Sequence, residues 1–383
     1  MSTASLSPPA PASTVLSRVE KELREIWAAP TSPSEPPKAR ACTMNLVVVA
    51  GEREIASLYT AVVDEVTRSI PARAIIVALD PDAHGNALEA DTTAVCAKGE
   101  SGVVVCSERV RLVALGAACD RVGSAVEALC VPEIPTTLVW LGRVHVDDPV
   151  FLSITANAQR IVLDTDYTSL TSLLHLARWA REDPTRPHLA DLAWTRISTW
   201  QELCARFFDE DSLLPLAGAV TRVTVRQASD PGTRLGSEGA LLLGWLATRL
   251  GWKTSRLGGA LRFKRRDGGT VGLHLGTVKR PAEVSPTALA TVTIEAEHEG
   301  VHLKGTIERE LGSGLAGASP DADVLVWRLE VEGKQTIEQR VRLSANKGAL
   351  VLERTLHRPS EDPALTESVA FAEEVFEDGV ICP

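Results

Sequence analysis

Met44-Asn-Leu-Val-Val-Val-Ala-Gly51 decides the class of the first fold. Leu46 to Ala50 is apolar at every position, so neither face of this strand can meet water. Strands buried on both faces belong to largely parallel sheets with helices packed on either side. Gly51 then turns the chain into a stretch that places Ile55, Leu58, Val62 and Val66 on one helical side. Outward from there the texture repeats. Arg73 to Leu79 is a second buried strand, strand-like runs follow at Thr93 to Cys96 and Val103 to Cys106, and Leu115 to Val131 predicts a helix. Thr137 to Leu141 and Ile161 to Leu163 are further strands, and helices over Leu170 to Arg181 and Ser198 to Phe208 lead into the second half. Strand–helix alternation of this kind predicts an α/β N-terminal domain with a largely parallel sheet.

The second half changes character. Val220 to Val225 is a strand and Ser237 to Leu250 a helix, and then the pattern alternates. Leu261 and Phe263 point one way, Arg262 and Lys264 the other; Asp267-Gly268-Gly269 turns the chain, and Val271, Leu273 and Leu275 return. Val292 to Glu297, Val301 to Ile307, Val324 to Val331 and Thr336 to Leu343 continue it, and a last helix aligns Leu365, Val369, Ala372 and Phe376. The expectation is an α+β domain with an antiparallel sheet. At the N-terminus, Val15, Val19, Leu23 and Ile26 keep helical spacing until Pro30, and the segment from Pro30 to Lys38 is Pro-rich. The expected organisation is a helix and linker over residues 1–39 acting as a tethered arm, an α/β domain over 40–185 and an α+β domain over 186–383.

A formal charge of −10 over 383 residues argues against nonspecific nucleic-acid binding and against docking to an anionic membrane. No apolar run is long enough to span a bilayer, and the first residues carry no secretion signal. Seven cysteines, odd in number and without C-x-x-C, do not form a disulfide framework or zinc ribbon. The expectation is reduced thiols in a cytoplasmic protein.

His298-Glu-Gly-Val-His302 matches the zincin pattern, but that chemistry needs a helix to bring both imidazoles onto one ion. Its flanks alternate, Gly300 stands where a hairpin turns, and a straight strand would separate the imidazoles by roughly 13 Å. An exposed hairpin is expected. After the first strand the chain offers Gly51-Glu52-Arg53-Glu54 in place of G-x-G-x-x-G; one glycine and two carboxylates make a poor phosphate cradle. P-loop and nucleophile-elbow motifs are absent, so no cofactor, metal or catalytic residue is assigned. Arg262, Lys264, Arg265 and Arg266 concentrate positive charge, either as a solvated hairpin that blunts a sheet edge or as a docking patch for an acidic partner or phosphorylated ligand.

Asp191-Leu-Ala-Trp-Thr-Arg-Ile-Ser-Thr-Trp-Gln-Glu-Leu-Cys-Ala-Arg-Phe-Phe-Asp209 holds two tryptophans, two arginines and two phenylalanines. Ser198 and Gln201 read as a capping box, and Trp200, Leu203, Cys204 and Phe207 as one apolar stripe. Trp194 and Arg196 precede that cap; tryptophan and arginine are enriched at binding hot spots and also common as core anchors. The segment closely resembles a signature of the glucose-6-phosphate dehydrogenase assembly proteins, the OpcA family. Ala41-Cys-Thr-Met-Asn-Leu-Val-Val-Val49, Val131-Pro-Glu-Ile-Pro-Thr-Thr-Leu-Val-Trp-Leu-Gly142, Arg160-Ile-Val-Leu-Asp164 and Leu241-Leu-Leu-Gly-Trp-Leu-Ala-Thr-Arg-Leu-Gly-Trp252 resemble further family segments in the expected order. The chain departs from the pattern in having Val139-Trp140-Leu141 where a tryptophan pair is expected. The resemblance implies a non-catalytic partner that binds, assembles and activates glucose-6-phosphate dehydrogenase, with Trp194 and Arg196 at the interface. Two rivals stand beside it: an enzyme with a dispersed site near Asp164, Asp166 and Tyr167, and a thiol-based redox regulator acting through Cys42 or Cys382.

Overall fold

The computed structural model describes residues 12–28, 38–98, 103–257, 260–282, 284–310, 324–343, 348–376 and 382. The chain divides into two compact units. One comprises Met1–Thr168, Trp179–Ala190 and Gly348–Glu361, the other Ser169–Arg178, Asp191–Lys347 and Asp362–Pro383.

The chain opens with α1 (Ala12–Ala28), β1 (Lys38–Arg40), β2 (Met44–Ala50), α2 (Arg53–Ser69), β3 (Ala72–Asp80), β4 (Asn86–Lys98) and β5 (Val104–Gly116). It continues through α3 (Val122–Leu129), β6 (Thr136–Leu141), α4 (Pro149–Thr155), β7 (Arg160–Leu163), α5 (Leu170–Glu182) and β8 (His188–Asp191). The strands form one sheet in the order β1-β5-β3-β2-β6-β7-β8, with β4 paired to β5. β2 is central and parallel to β3 and β6, and Leu46 to Ala50 are at most 1% exposed, as an all-apolar strand requires. Only β4 departs, running antiparallel to β5 among the described pairs. The stripe of α2 is turned from the expected one: Ala56, Tyr59, Val63 and Val66 are buried, whereas Leu58 is 67% exposed. Both sets satisfy helical periodicity, and the path into the helix selects between them.

Three further expectations are corrected in this unit. Helix α1 is not a free arm: Val15, Val19 and Leu23 are buried, Arg18 Nη2 donates to the Ala90 carbonyl, and Thr92 donates to Glu22. The Pro-rich segment after α1 and residues 1–11 lie outside the described residues. The expected helix from Leu115 is shorter, because β5 runs on to Gly116 and a 3-10 turn at Cys119–Arg121 precedes α3. The third concerns thiols. Cys96 and Cys106 face one another across the β4–β5 ladder, with Cα atoms 4.0 Å apart, and are joined as a disulfide. Their spacing matches no cysteine motif; strand register brings them together. Cys96→Ser should lower unfolding free energy by about 2–3 kcal/mol, through a small closed loop. A fall in urea midpoint with a slope no smaller than that of the wild type, reproduced in wild type by reductant, is the check.

The second sheet is built from β9 (Val220–Ala228), β10 (Lys253–Leu257), β11 (Ala260–Lys264), β12 (Thr270–Val278), β13 (Leu289–His298), β14 (Val301–Arg309), β15 (Val324–Val331) and β16 (Ile337–Arg342). Its order is β10-β11-β12-β9-β13-β14-β15-β16, antiparallel except for β12 beside β9. Helices α6 (Leu192–Arg196), α7 (Ser198–Ala205), α8 (Leu214–Ala217), α9 (Ser237–Leu250) and α11 (Pro363–Phe376) belong to the same unit, while α10 (Gly348–His357), which the sequence reading missed, belongs to the first. Trp200 and Phe207 are at most 1% exposed, and Phe207 stacks on Trp327 at 5.4 Å. Trp327 Nε1 donates to the Leu203 carbonyl at 3.0 Å, which ties α7 to β15. Gly305 lies beneath Phe207, where a Cβ would collide with the ring. Val223, Val225, Val292, Ile294, Leu303 and Ile307 fill the buried side of this sheet, and the alternate positions face outward.

Candidate functional site

The signature segment is an interior element. Its helix begins at Leu192, with Asp191 as N-cap accepting from Ala193 N at 2.6 Å. The capping box expected at Ser198 does not form: Ser198 Oγ donates backward to the Thr195 carbonyl at 2.7 Å, and Ile197 occupies the junction. An Asp two turns earlier supplies the stronger start, so the chain is already helical when it reaches Ser198. Trp194 is 4% exposed, and its Nε1 donates to Asp362 Oδ2 at 2.8 Å. Asp362 Oδ1 in turn accepts from Leu365 N at 3.1 Å, capping α11. Arg196 Nε meets Glu238 Oε1 at 3.1 Å, and both side chains are under 10% exposed. Glu238 also accepts from Leu289 N at 2.9 Å, which joins α6, α9 and the start of β13. Trp194 and Arg196 therefore hold elements of their own unit together.

The basic hairpin behaves differently. Arg265 is committed internally: it donates to both Asp267 oxygens at 3.0 and 2.8 Å and to the Val220 carbonyl at 3.1 Å. Hydrogen bonds from Arg265 and Gly269 hold the Asp267 carboxyl below its ordinary range. Gly268 takes φ 86° in the expected turn. The Arg266 guanidinium lies where a Cβ of Gly251 would stand, over the C-terminus of α9, where the helix dipole favours a cation. The Arg262 side chain lies outside the described residues; its backbone pairs with Ser255 and Gly272. Lys264 is exposed directly opposite Lys253 on β10, which is exposed as well. Like charges across a ladder repel, so this pair gains from a negative group laid over it. Lys253 was not a sequence candidate, because only the register sets it beside Lys264.

The carboxyl ends of the parallel strands were the rival location. There Arg53 Nε stands 3.7 Å from Asp80 Oδ2, so the carboxylate ending the second central strand faces an arginine of the chain itself. In dinucleotide-binding sheets that position meets a ribose. Glu52, at the N-cap of α2, makes no side-chain cap, leaving an anion where a phosphate would sit. Tyr59 Oη donates to buried Asp164 Oδ2 at 3.3 Å, Asp166 N donates to Asp164 Oδ1 at 3.3 Å, and Tyr167 packs edge-on against Tyr59. Trp140, where the family pattern varies, is buried edge-on to Phe151 and donates to the Arg143 carbonyl at 3.1 Å.

The thiols proposed for redox sensing lack the required electrostatics. Burial pushes the Cys42 and Cys382 thiols up from their ordinary range, and Cys382 is fully buried. His298-Glu-Gly-Val-His302 forms the expected two-residue hairpin, with Glu299 and Gly300 at φ 50° and 78° between β13 and β14. Among the described residues no group of three or more metal-ligating side chains converges, and no helix is long and apolar enough to cross a membrane.

Comparison with known proteins places these elements. Residues 63–178 match the family profile described as glucose-6-phosphate dehydrogenase subunit N-terminal domain, and residues 187–369 the corresponding C-terminal domain. The OxPP cycle protein OpcA of Nostoc punctiforme is 30% identical over 209 residues, 52% of this chain and 43% of that protein. The protein of the same name from Synechocystis is 26% identical over 194 residues, 49% and 39% of the two chains. The matched stretch thus spans less than half the length of these relatives. Among solved structures, UDP-N-acetylglucosamine 3-dehydrogenase GnnA from Acidithiobacillus ferrooxidans is similar at 11% identity and TM-score 0.43, covering 88% of this chain and 96% of that one. That likeness is too distant to carry a reading of chemistry. The chain belongs to the OpcA family, the glucose-6-phosphate dehydrogenase assembly proteins.

Proposed function

We propose that this protein is a non-catalytic accessory subunit that binds, assembles and activates glucose-6-phosphate dehydrogenase in the oxidative pentose phosphate pathway. The observation that supports it is the ordered match of both halves of the chain to the two domains described for a subunit of that enzyme. Activation of this kind needs only differential affinity: the accessory protein binds the active state of the enzyme more tightly and shifts its population. No reacting group is required of it. The docking patch we assign is the basic hairpin of β11 and β12 with β10 beside it, where Lys253, Lys264 and Arg266 are exposed. Arg262 belongs to the same patch by sequence. Arg265, Trp194 and Arg196 act by holding the surrounding structure in place.

The test is a titration of the enzyme from the same organism with this protein, following initial rate and complex mass together. A saturable rise in rate with a heavier species is expected. Reversing charge at three positions, K253E with K264E and R266E, should weaken the complex by at least about tenfold and flatten its salt dependence. Circular dichroism and the melting curve establish that the variant is folded. A wild-type mixture with neither complex nor rate change would sink the accessory reading. A folded triple variant that activates like wild type would remove the patch and leave the reading intact.

A further inference from the structure

The outward face of the second sheet carries a charge pattern that the accessory reading does not use. Across β9, β13, β14 and β15, directly opposite residues run Arg222, Glu295, Lys304 and Glu330, in alternating sign. The next row outward on the same face is Thr224, Thr293, Thr306 and Arg328, with His274 of β12 and Glu338 of β16 at its two ends. All of these side chains are partly or fully exposed. Two hollows of about 500 and 490 Å³ open on this face. One is lined by Glu295, Glu297, Glu330 and Glu332 together with His302 and Lys304, the other by Arg222, Arg226 and His274 together with Glu295. The outward charges of β9 and β12 are basic, while from β13 to β16 carboxylates alternate with Lys304, Arg328 and Arg340.

A row of even length and alternating sign is antisymmetric about its centre. A two-fold axis lying close to the strand direction, between β13 and β14, turns that antisymmetry into complementarity. Arg222 then faces Glu330 of the second copy, Glu295 faces Lys304, and His274 faces Glu338. In the row between the ends, Thr293 faces Thr306, two short side chains that let the sheets approach. Six strands about 4.8 Å apart and roughly 30 Å long present about 800 Å² per copy, the size of a standard stable interface. An isologous contact is also the commonest way in which soluble chains assemble.

We infer that this open sheet face is a homodimer interface, occupied by the same face of a second copy of this chain. This goes beyond the accessory reading and holds whether or not the dehydrogenase is the partner. The test is mass in solution across a range of concentration and salt, by sedimentation or light scattering. A species near twice 41.0 kDa is expected, weakening as salt rises. K304E sets Glu295 against a glutamate of the other copy twice over, and should raise the dissociation constant by at least about tenfold. The double exchange E295K with K304E makes the row plus, plus, minus, minus, which is again antisymmetric, and should restore the dimer. Recovery by the double exchange also shows that K304E does not act by unfolding the sheet. A wild-type chain that stays monomeric throughout would overturn the inference, as would K304E dimerising like wild type or the double exchange failing to recover. A monomer whose sheet face gains hydrogen-exchange protection only on adding the dehydrogenase would assign the face to that enzyme and equally overturn it.

Discussion

Arg196→Ala should lower the unfolding free energy by about 3–5 kcal/mol, a large share of what a typical domain possesses. The cause is the group left behind. Glu238 is 5% exposed at the N-terminal end of α9, and Arg196 is its counter-ion at 3.1 Å. Removing the guanidinium leaves a buried carboxylate that still accepts from the Leu289 N–H but has lost its counter-ion. Such a group must either hold an uncompensated charge or take up a proton. Urea unfolding followed by tryptophan fluorescence measures the loss. The companion variant R196M with E238Q keeps an acceptor for Leu289 N and removes both charges, so it should recover most of the stability. A loss below about 1 kcal/mol in R196A would mean that the pair is more solvated than its burial implies. Under the proposed function, R196A would also reduce activation of the dehydrogenase through loss of this support. Rescue of both stability and activation by the uncharged pair separates a positioning role from a contact role.

Glu108→Ala should have an effect of similar size in the first unit. Glu108 is 2% exposed on β5 and draws three elements onto one carboxylate. Arg73 Nε of β3 donates to Oε2 at 2.5 Å, Arg40 of β1 to the same oxygen at 3.1 Å, and Trp27 Nε1 of α1 to Oε1 at 2.5 Å. Arg73 is itself 5% exposed, so losing Glu108 leaves a buried guanidinium with Glu20, 3.9 Å away, as its nearest carboxylate among the described residues. The expected loss is about 3–5 kcal/mol, and hydrogen exchange in α1 should rise out of proportion to the rest of the unit. Glu108→Gln keeps an acceptor for Trp27 and should fall between alanine and wild type. Unchanged protection of α1 in E108A would show that the apolar stripe of Val15, Val19 and Leu23 holds this helix unaided.

These two carboxylates mark the boundary of what a linear reading can reach. Periodicity is a local property, so Met44 to Gly51 announced a strand buried on both faces, and β11 with its Asp267-Gly268-Gly269 turn announced an antiparallel hairpin. The zincin-like stretch was recognisable as a hairpin for the same reason: flanks with period two cannot place two histidines on one helical face. Partnership between distant segments has no such trace. The bridge between Cys96 and Cys106, the repulsive opposition of Lys253 and Lys264, and the alternating row from Arg222 to Glu330 all follow from strand register, which depends on how whole strands bury their apolar sides. Burial of Trp194 and Arg196 follows likewise from α9 and α11 closing over α6. The sequence by itself determined the classes of both domains and the family. Tertiary structure alone decided which charges are internal supports and which stand outward, because the cost of leaving an ion unpaired is set by its distance from water and its neighbours in space.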